Sequence, residues 1–269
     1  MNAHAARDSG EVVLSVQGLS HSFGGHKILD DISLQIRRGE VVGLIGPGGV
    51  GKSVLVKICC ALLTPDAGEV EVFGHRLSEM KERDLQLLRQ RLGLCFQNYA
   101  LFDFMTVGDN IAFPMRQRGE ASADEIEAKV RLRLAEVDLG RAYAQMPSEL
   151  SGGMKKRVGL ARATINDPEL VLFDDPTAGL DPVTSSKIFD LVRGAQAQHN
   201  ATCVVVSHDI DRMQACCDRY LLLHEGRIWW RGDEAAARAS DDPIVSEFFA
   251  VKHAGLLGGL IGGALGAGA

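Results

Sequence analysis

Two stretches of the chain combine residue types and spacings suited to phosphate chemistry. The first is GPGGVGKS, Gly46 to Ser53, which follows an apolar run at Glu40–Ile45 and precedes a helical pattern. It fits G-x-x-x-x-G-K-[ST] in the strand-to-helix context that the mechanism needs. Glycines let such a loop wrap an anion with successive backbone N–H groups, and the following helix presents its positive end. Gly46, Pro47, Gly48, Gly49, Val50 and Gly51 are therefore expected to cradle the phosphates of a nucleotide. Lys52 would reach the β- and γ-phosphates, and the Ser53 hydroxyl would ligate Mg²⁺. The second stretch is LVLFDDPTAGLDP, Leu170 to Pro182, in which four apolar residues end in two adjacent carboxylates, Asp174 and Asp175. A short apolar run bounded by turn residues reads as a buried strand, and charges at such a tip call for a cationic partner. Beside the phosphate loop, Asp174 becomes a second Mg²⁺ partner, directly or through water. Its competing reading is a helix cap.

These residues need a scaffold, and the hydrophobic pattern supplies one. Residues 11–40 read as short β-like segments, VVLSV and ILDDISLQI, and give an N-terminal antiparallel region. A helix is expected from Lys52 to Leu62, a strand at GEVEVFG, and an amphipathic helix within 79–91. From about residue 99 to 155 the composition is helical, with Ile126, Val130 and Leu134 on one face and Ser122 as cap; this is an inserted lobe. Strands at LVLFD, TCVVVS and YLLLH then alternate with helices, one of them over 183–197. That alternation predicts an α/β fold with a mostly parallel sheet and helices on both faces.

Composition narrows the function. The chain has 269 residues, 46% hydrophobic and 24% charged, ordinary values for a globular protein with a sizeable core. A formal net charge of −6 argues against nucleic acid as partner. Six cysteines, two pairs of them adjacent, lack metal-ligand spacing and read as buried reduced thiols in a cytosolic setting. No segment reaches the ~18–20 apolar residues of a membrane-spanning helix. Residues 1–10 read as a disordered leader without a secretory signal, and the folded domain is expected over 11–247. The remaining 248–269 form a tail whose last sixteen residues hold seven glycines and five Leu or Ile. Either it is a floppy terminus, or its Gly255, Gly259 and Gly263 stripe packs on a partner.

Further motifs carry a family resemblance. Leu150-Ser151-Gly152-Gly153-Met154 resembles the LSGGQ signature loop of ATP-binding cassette (ABC) ATPases. Gln97 resembles their Q-loop glutamine, Ala178-Gly179-Leu180-Asp181 their D-loop, His208 their switch histidine, and Phe23 the aromatic that stacks on adenine. Each is weak alone; the order and spacing match over about residues 12–245. The resemblance implies a P-loop NTPase of RecA-like topology that binds ATP and Mg²⁺. Asp175, His208 and Gln97 are its catalytic set, with Gln97 also at the metal. It implies a head-to-tail homodimer in which Ser151, Gly152 and Gly153 face the phosphate loop of a second subunit. Two residues depart from the pattern: Met154 replaces glutamine, and Asp175 stands where the family has a catalytic glutamate. The latter puts efficient hydrolysis in question, and capping of the Pro176-Thr177 turn is its structural alternative.

MPSELSGGMKKRVGLARA, FQNYALFDFMTVGDNIAFP and DPVTS are similar to the ATPases of lipid transporters of the Mla (maintenance of lipid asymmetry) type. That similarity implies a phospholipid-like cargo, an integral-membrane permease, and a partner with an MCE (mammalian cell entry) domain. It also implies a peripheral place on the cytoplasmic face of the inner membrane. Leu101, Phe102, Phe104 and Met105 would either receive a permease helix or fill the lobe's own core. The competing readings are an ABC ATPase for another cargo, such as amino acids or a drug, and a non-transport ABC protein.

Overall fold

The computed structural model describes residues 10–96, 100–119 and 121–249. The first elements of the described residues are two long strands, β1 (Val12–Phe23) and β2 (His26–Arg37), paired antiparallel with several register shifts. They replace the short segments expected there. The bulges twist the ribbon and let twelve-residue strands wrap a curved core. In β2, Ile32, Leu34 and Ile36 are buried and alternate with exposed Asp31, Ser33 and Gln35, the period of a sheet with one wet face.

β3 (Val41–Ile45) leads into the phosphate loop and α1 (Lys52–Cys59), which stops short of the expected Leu62. Ala61 adopts a left-handed backbone just beyond the cap, so the helix cannot continue. β4 (Ala67–Val72) and β5 (His75–Arg76) complete a four-stranded sheet in the order β2-β1-β4-β5. α2 (Glu82–Arg89) falls inside the charged stretch 79–91, and β6 (Leu92–Cys95) follows it.

The helical lobe contains α3 (Val107–Arg118) and α4 (Ala123–Glu136). The Ser122 and Glu125 side chains cap α4 reciprocally, and Ile126, Val130 and Leu134 are its buried face. α5 (Gly152–Thr164) starts at the glycine turn itself, two residues before Met154, with Ser151 as its cap. Then come β7 (Leu170–Asp174), α6 (Pro182–His199), β8 (Thr202–Val206), α7 (Ile210–Met213), β9 (Arg219–His224), β10 (Arg227–Gly232), α8 (Glu234–Arg238) and α9 (Pro243–Phe249).

The second sheet has the order β10-β9-β3-β8-β7-β6, parallel except for edge strand β10. All five residues of β3, β7 and β8 are buried, as in a parallel sheet covered on both faces. Alternate side chains feed two buried clusters. One joins Val42, Leu44, Leu172 and Val204 to α1 and the antiparallel sheet. The other joins Val41, Val171, Phe173 and Val205 to the helical lobe without a break. β8 lies between β3 and β7, and its Val206 pairs in register with both Leu44 and Asp174. The phosphate loop and the carboxylate tip therefore emerge level with each other, one strand apart. This is the carboxyl edge where ligands of open α/β sheets bind.

Candidate functional site

Lys52 is 5% exposed and donates from Nζ to the carbonyls of Gly46 and Pro47, both at 2.8 Å. These bonds draw the loop into a ring around the ammonium group. Burial lowers the Lys52 pKa, and the Asp175 and Asp174 carboxylates oppose that shift, holding a cation at the loop's centre. Gly46 is required by the fold: at φ 147°, a β-carbon there would stand 2.1 Å from the Leu223 carbonyl oxygen. Gly48 and Gly49 are different, because a β-carbon at either would meet nothing within 4 Å. That open space above bare backbone is what an anion cradle requires.

The Ser53 hydroxyl donates to Asp174 Oδ1 at 2.9 Å, joining the two expected magnesium residues across the sheet edge. Asp174 is 6% exposed. It sits beside the loop and does not cap the next helix, α6, whose cap is Asp181. Among the described residues no cluster of three or more His, Cys, Asp or Glu could hold a metal by itself. A hydroxyl and a carboxylate fit Mg²⁺, which keeps several waters and takes its other ligands from nucleotide phosphates.

Asp175 has φ 50°, the left-handed region. Asp and Asn are several-fold enriched there over other non-glycine residues. Its N–H donates to the Val206 carbonyl at 2.9 Å and its carbonyl accepts from Ala178 N–H at 3.3 Å, so the backbone turns sharply at the strand's end. Burial raises the Asp175 pKa, and the neighbouring His208 and Lys156 pull it back down. Thr177 and Ser207, both buried, join hydroxyls at 3.3 Å beneath this turn.

Phe23, Ile28, Gly49, Lys52, Ser53, Asp174, Asp175 and His208 line one open cleft of about 380 Å³. Phe23 is 49% exposed at its rim, its ring held edge-on by His21 with centroids 4.7 Å apart. Gln97 lies outside the described residues. Ser151, Gly152 and Gly153 do not line the cleft. They sit at the amino end of α5, where the exposed Ser151 accepts a hydrogen bond from Met154 N–H at 3.3 Å.

Two positioning residues carry no sequence signal of their own. Fully buried Asn110 accepts from Phe102 N–H and donates to the carbonyls of Phe102, Met105 and Thr106, fixing the loop before α3. On that loop Leu101 packs into the core, whereas Phe104 is 76% exposed. Lys156 is 3% exposed in the second turn of α5 and donates to the carbonyl of Ala178. Of the cysteines, five are buried, Cys217 is partly buried, and all six are free thiols.

A phosphate loop on β3 beside a carboxylate-tipped β7 makes this a P-loop ATPase. A family model described as ABC transporter matches residues 29–178. The chain is 40% identical over 254 residues to Protein TRIGALACTOSYLDIACYLGLYCEROL 3, chloroplastic, of Arabidopsis thaliana, covering 88% of this chain and 73% of that protein. It is 36% identical over 236 residues to the intermembrane phospholipid transport system ATP-binding protein MlaF of Escherichia coli K12, covering 88% of each. It is 38% identical over 247 residues to the probable ribonucleotide transport ATP-binding protein mkl of Mycobacterium tuberculosis H37Rv, covering 92% and 69%. A dimeric ATP-binding cassette solved in a post-hydrolysis state with ADP and Pi superposes with a TM-score of 0.76 at 29% identity, covering 82% of this chain and 98% of that one. The protein belongs to the ABC transporter family and is an ATP-hydrolysing, ATP-binding subunit.

Proposed function

We propose that this subunit works as a head-to-tail homodimer on a membrane permease and powers the movement of phospholipid or a related lipid. The observation that carries the dimer is the placement of Ser151–Gly153 away from the chain's own cleft, with Ser151 and Gly152 exposed. A glycine turn at a helix amino end is built to meet an anion, and the phosphate it would meet belongs to a second chain. The dimeric cassette of similar fold supports this. Two of the three relatives have lipid words in their names, which favours lipid over the ribonucleotide named in the third. An MCE-domain partner and a peripheral place at the inner membrane follow from the Mla reading. Among the described residues no helix is long and apolar enough to cross a membrane.

In this reading Phe23 would stack on adenine, Lys52 would meet the β- and γ-phosphates, and Ser53 and Asp174 would hold Mg²⁺; the family resemblance assigns Gln97, outside the described residues, to the same ion. The ion, when bound, offsets charge on the phosphate oxygens. Asp175 accepts a hydrogen bond from the attacking water, and His208 stands beside it. Water oxygen bonds to the γ-phosphorus as the bond to the β–γ bridging oxygen breaks, giving ADP and phosphate.

Lys52→Ala is expected to abolish binding of a fluorescent ATP analogue. Ser151→Ala should leave monomer affinity unchanged and weaken ATP-driven dimerisation in sedimentation. The lost cap would cost α5 about 1 kcal/mol, so a thermal melt accompanies the test. Full ATPase activity from a monomer would overturn the composite site. Purification with the membrane partners, followed by mass spectrometry of co-purified lipid, tests the cargo; ribonucleotide in place of lipid would reverse it.

A further inference from the structure

We propose that Lys156 is a positioning residue that ties the signature helix to the turn carrying Asp175, so that a phosphate met by one chain's Ser151 sets that chain's own hydrolytic carboxylate. The inference rests on the composite-site reading above. Its basis is a short chain of bonds. Lys156 Nζ donates to the Ala178 carbonyl, and Ala178 N–H donates to the Asp175 carbonyl at 3.3 Å. One D-loop residue, Ala178, is thus held through its carbonyl by α5 and through its N–H by the strand tip.

The surroundings make this link stiff. Lys156 is 3% exposed, so its ammonium group cannot swing into water without unpacking the helix. At the first turn of α5, a β-carbon on Gly153 would stand 3.0 Å from Thr184 Cγ2 and 3.7 Å from Leu180 Cδ2. The signature turn therefore packs directly on the D-loop and the start of α6. Burial lowers the Lys156 pKa, and the nearby Asp175 carboxylate opposes that shift. A rigid helix with one end at the partner's nucleotide cannot shift without moving Ala178, and Ala178 holds the backbone at the left-handed Asp175.

A lysine that merely fills space under α5 would behave differently, and full-length chain separates the two. Lys156→Met keeps the stem's packing and removes both charge and donor; Lys156→Gln keeps a donor without the charge. For Lys156→Met, kcat is expected to fall about 10- to 100-fold, the scale of a ~1 Å misplacement, with KM for ATP changed less than about 2-fold. Lys156→Gln should recover part of that loss and Lys156→Arg most of it. In an Asp175→Asn background, the slow residual hydrolysis read under single-turnover conditions should not fall further on Lys156→Met, because the group it positions is gone. A kcat for Lys156→Met within about 2-fold of wild type, or an equal loss in both backgrounds, would overturn the assignment. If Lys156→Met fails to fold, the Gln and Arg variants carry the same comparison. Wild-type chain that hydrolyses ATP without dimerising would instead sink the composite site and leave the Asp175 comparison intact.

Discussion

Asp175 shows why one methylene matters. Aspartate places its carboxylate about 1.3 Å nearer its own backbone than glutamate, less than one C–C bond length. The left-handed backbone at φ 50° re-aims that shorter side chain, and it is a conformation that aspartate tolerates and glutamate adopts at greater cost. Asp175→Asn is expected to retain ATP, accumulate closed dimer and keep only a slow residual hydrolysis in a single-turnover phosphate-release assay. Undiminished release would move the water to His208 or Gln97. Asp175→Glu should stay active but no faster than wild type. It should melt roughly 2–4 °C lower, the effect of about 1 kcal/mol of added backbone strain in a chain of this size. The phosphate loop and Asp174 were readable because their chemistry is fixed by local order: strand, glycines, Lys-Ser, then an apolar run ending in a carboxylate. The conformation of Asp175 and the partners of Lys156 were not, since both arise from contacts between segments distant in sequence.

Elements meet at a junction of charges where the two sheets join. Glu169, just before β7, accepts from Arg91 at 2.7 Å and from Arg38 at 3.0 Å, and Arg38 also pairs with Glu11 at 2.7 Å. These bonds, Arg91's first, hold the Glu169 carboxyl below its ordinary value of 4.5. Between the depressed value and 4.5, the unfolded chain binds more protons than the folded one. The stabilisation is therefore complete above 4.5 and is lost as pH falls through the depressed value. Glu169→Gln should lower stability by about 0.5–1 kcal/mol at neutral pH, the discounted worth of a partly exposed network. Melting temperatures of variant and wild type should converge in acid; a constant gap across pH would refute the electrostatic account. Element types were legible from periodicity, as with Ile126, Val130 and Leu134. Their ends were less so: the full length of β1 and β2 depends on bulges that blur a period of two, and α1 stops at a backbone reversal near Ala61.

At the scale of the molecule, the last described element, α9, is anchored in the core. Phe249, 4% exposed, packs edge-on against Tyr220 with centroids 5.1 Å apart and against Trp230 at 5.9 Å. Truncation after residue 247 should therefore destabilise the chain, and Phe249→Ala should cost about 3–5 kcal/mol in urea unfolding. The tail from Ala254 lies outside the described residues. We propose that it serves a partner, so truncation after Phe249 should leave the melting temperature unchanged; a large fall would assign it to the core. The parallel sheet and its covering helices could be foreseen from strand–helix alternation. The merging of the lobe's apolar face with the sheet's could not, because composition alone gives no relative placement. β3, β7 and β8, whose residues are all buried, carry a further consequence. Amides in such strands exchange with solvent only when the whole domain opens, far more rarely than an ATPase turns over. The three strands thus behave through each cycle as a fixed frame of reference, and displacement during catalysis belongs to what is mounted on their rim.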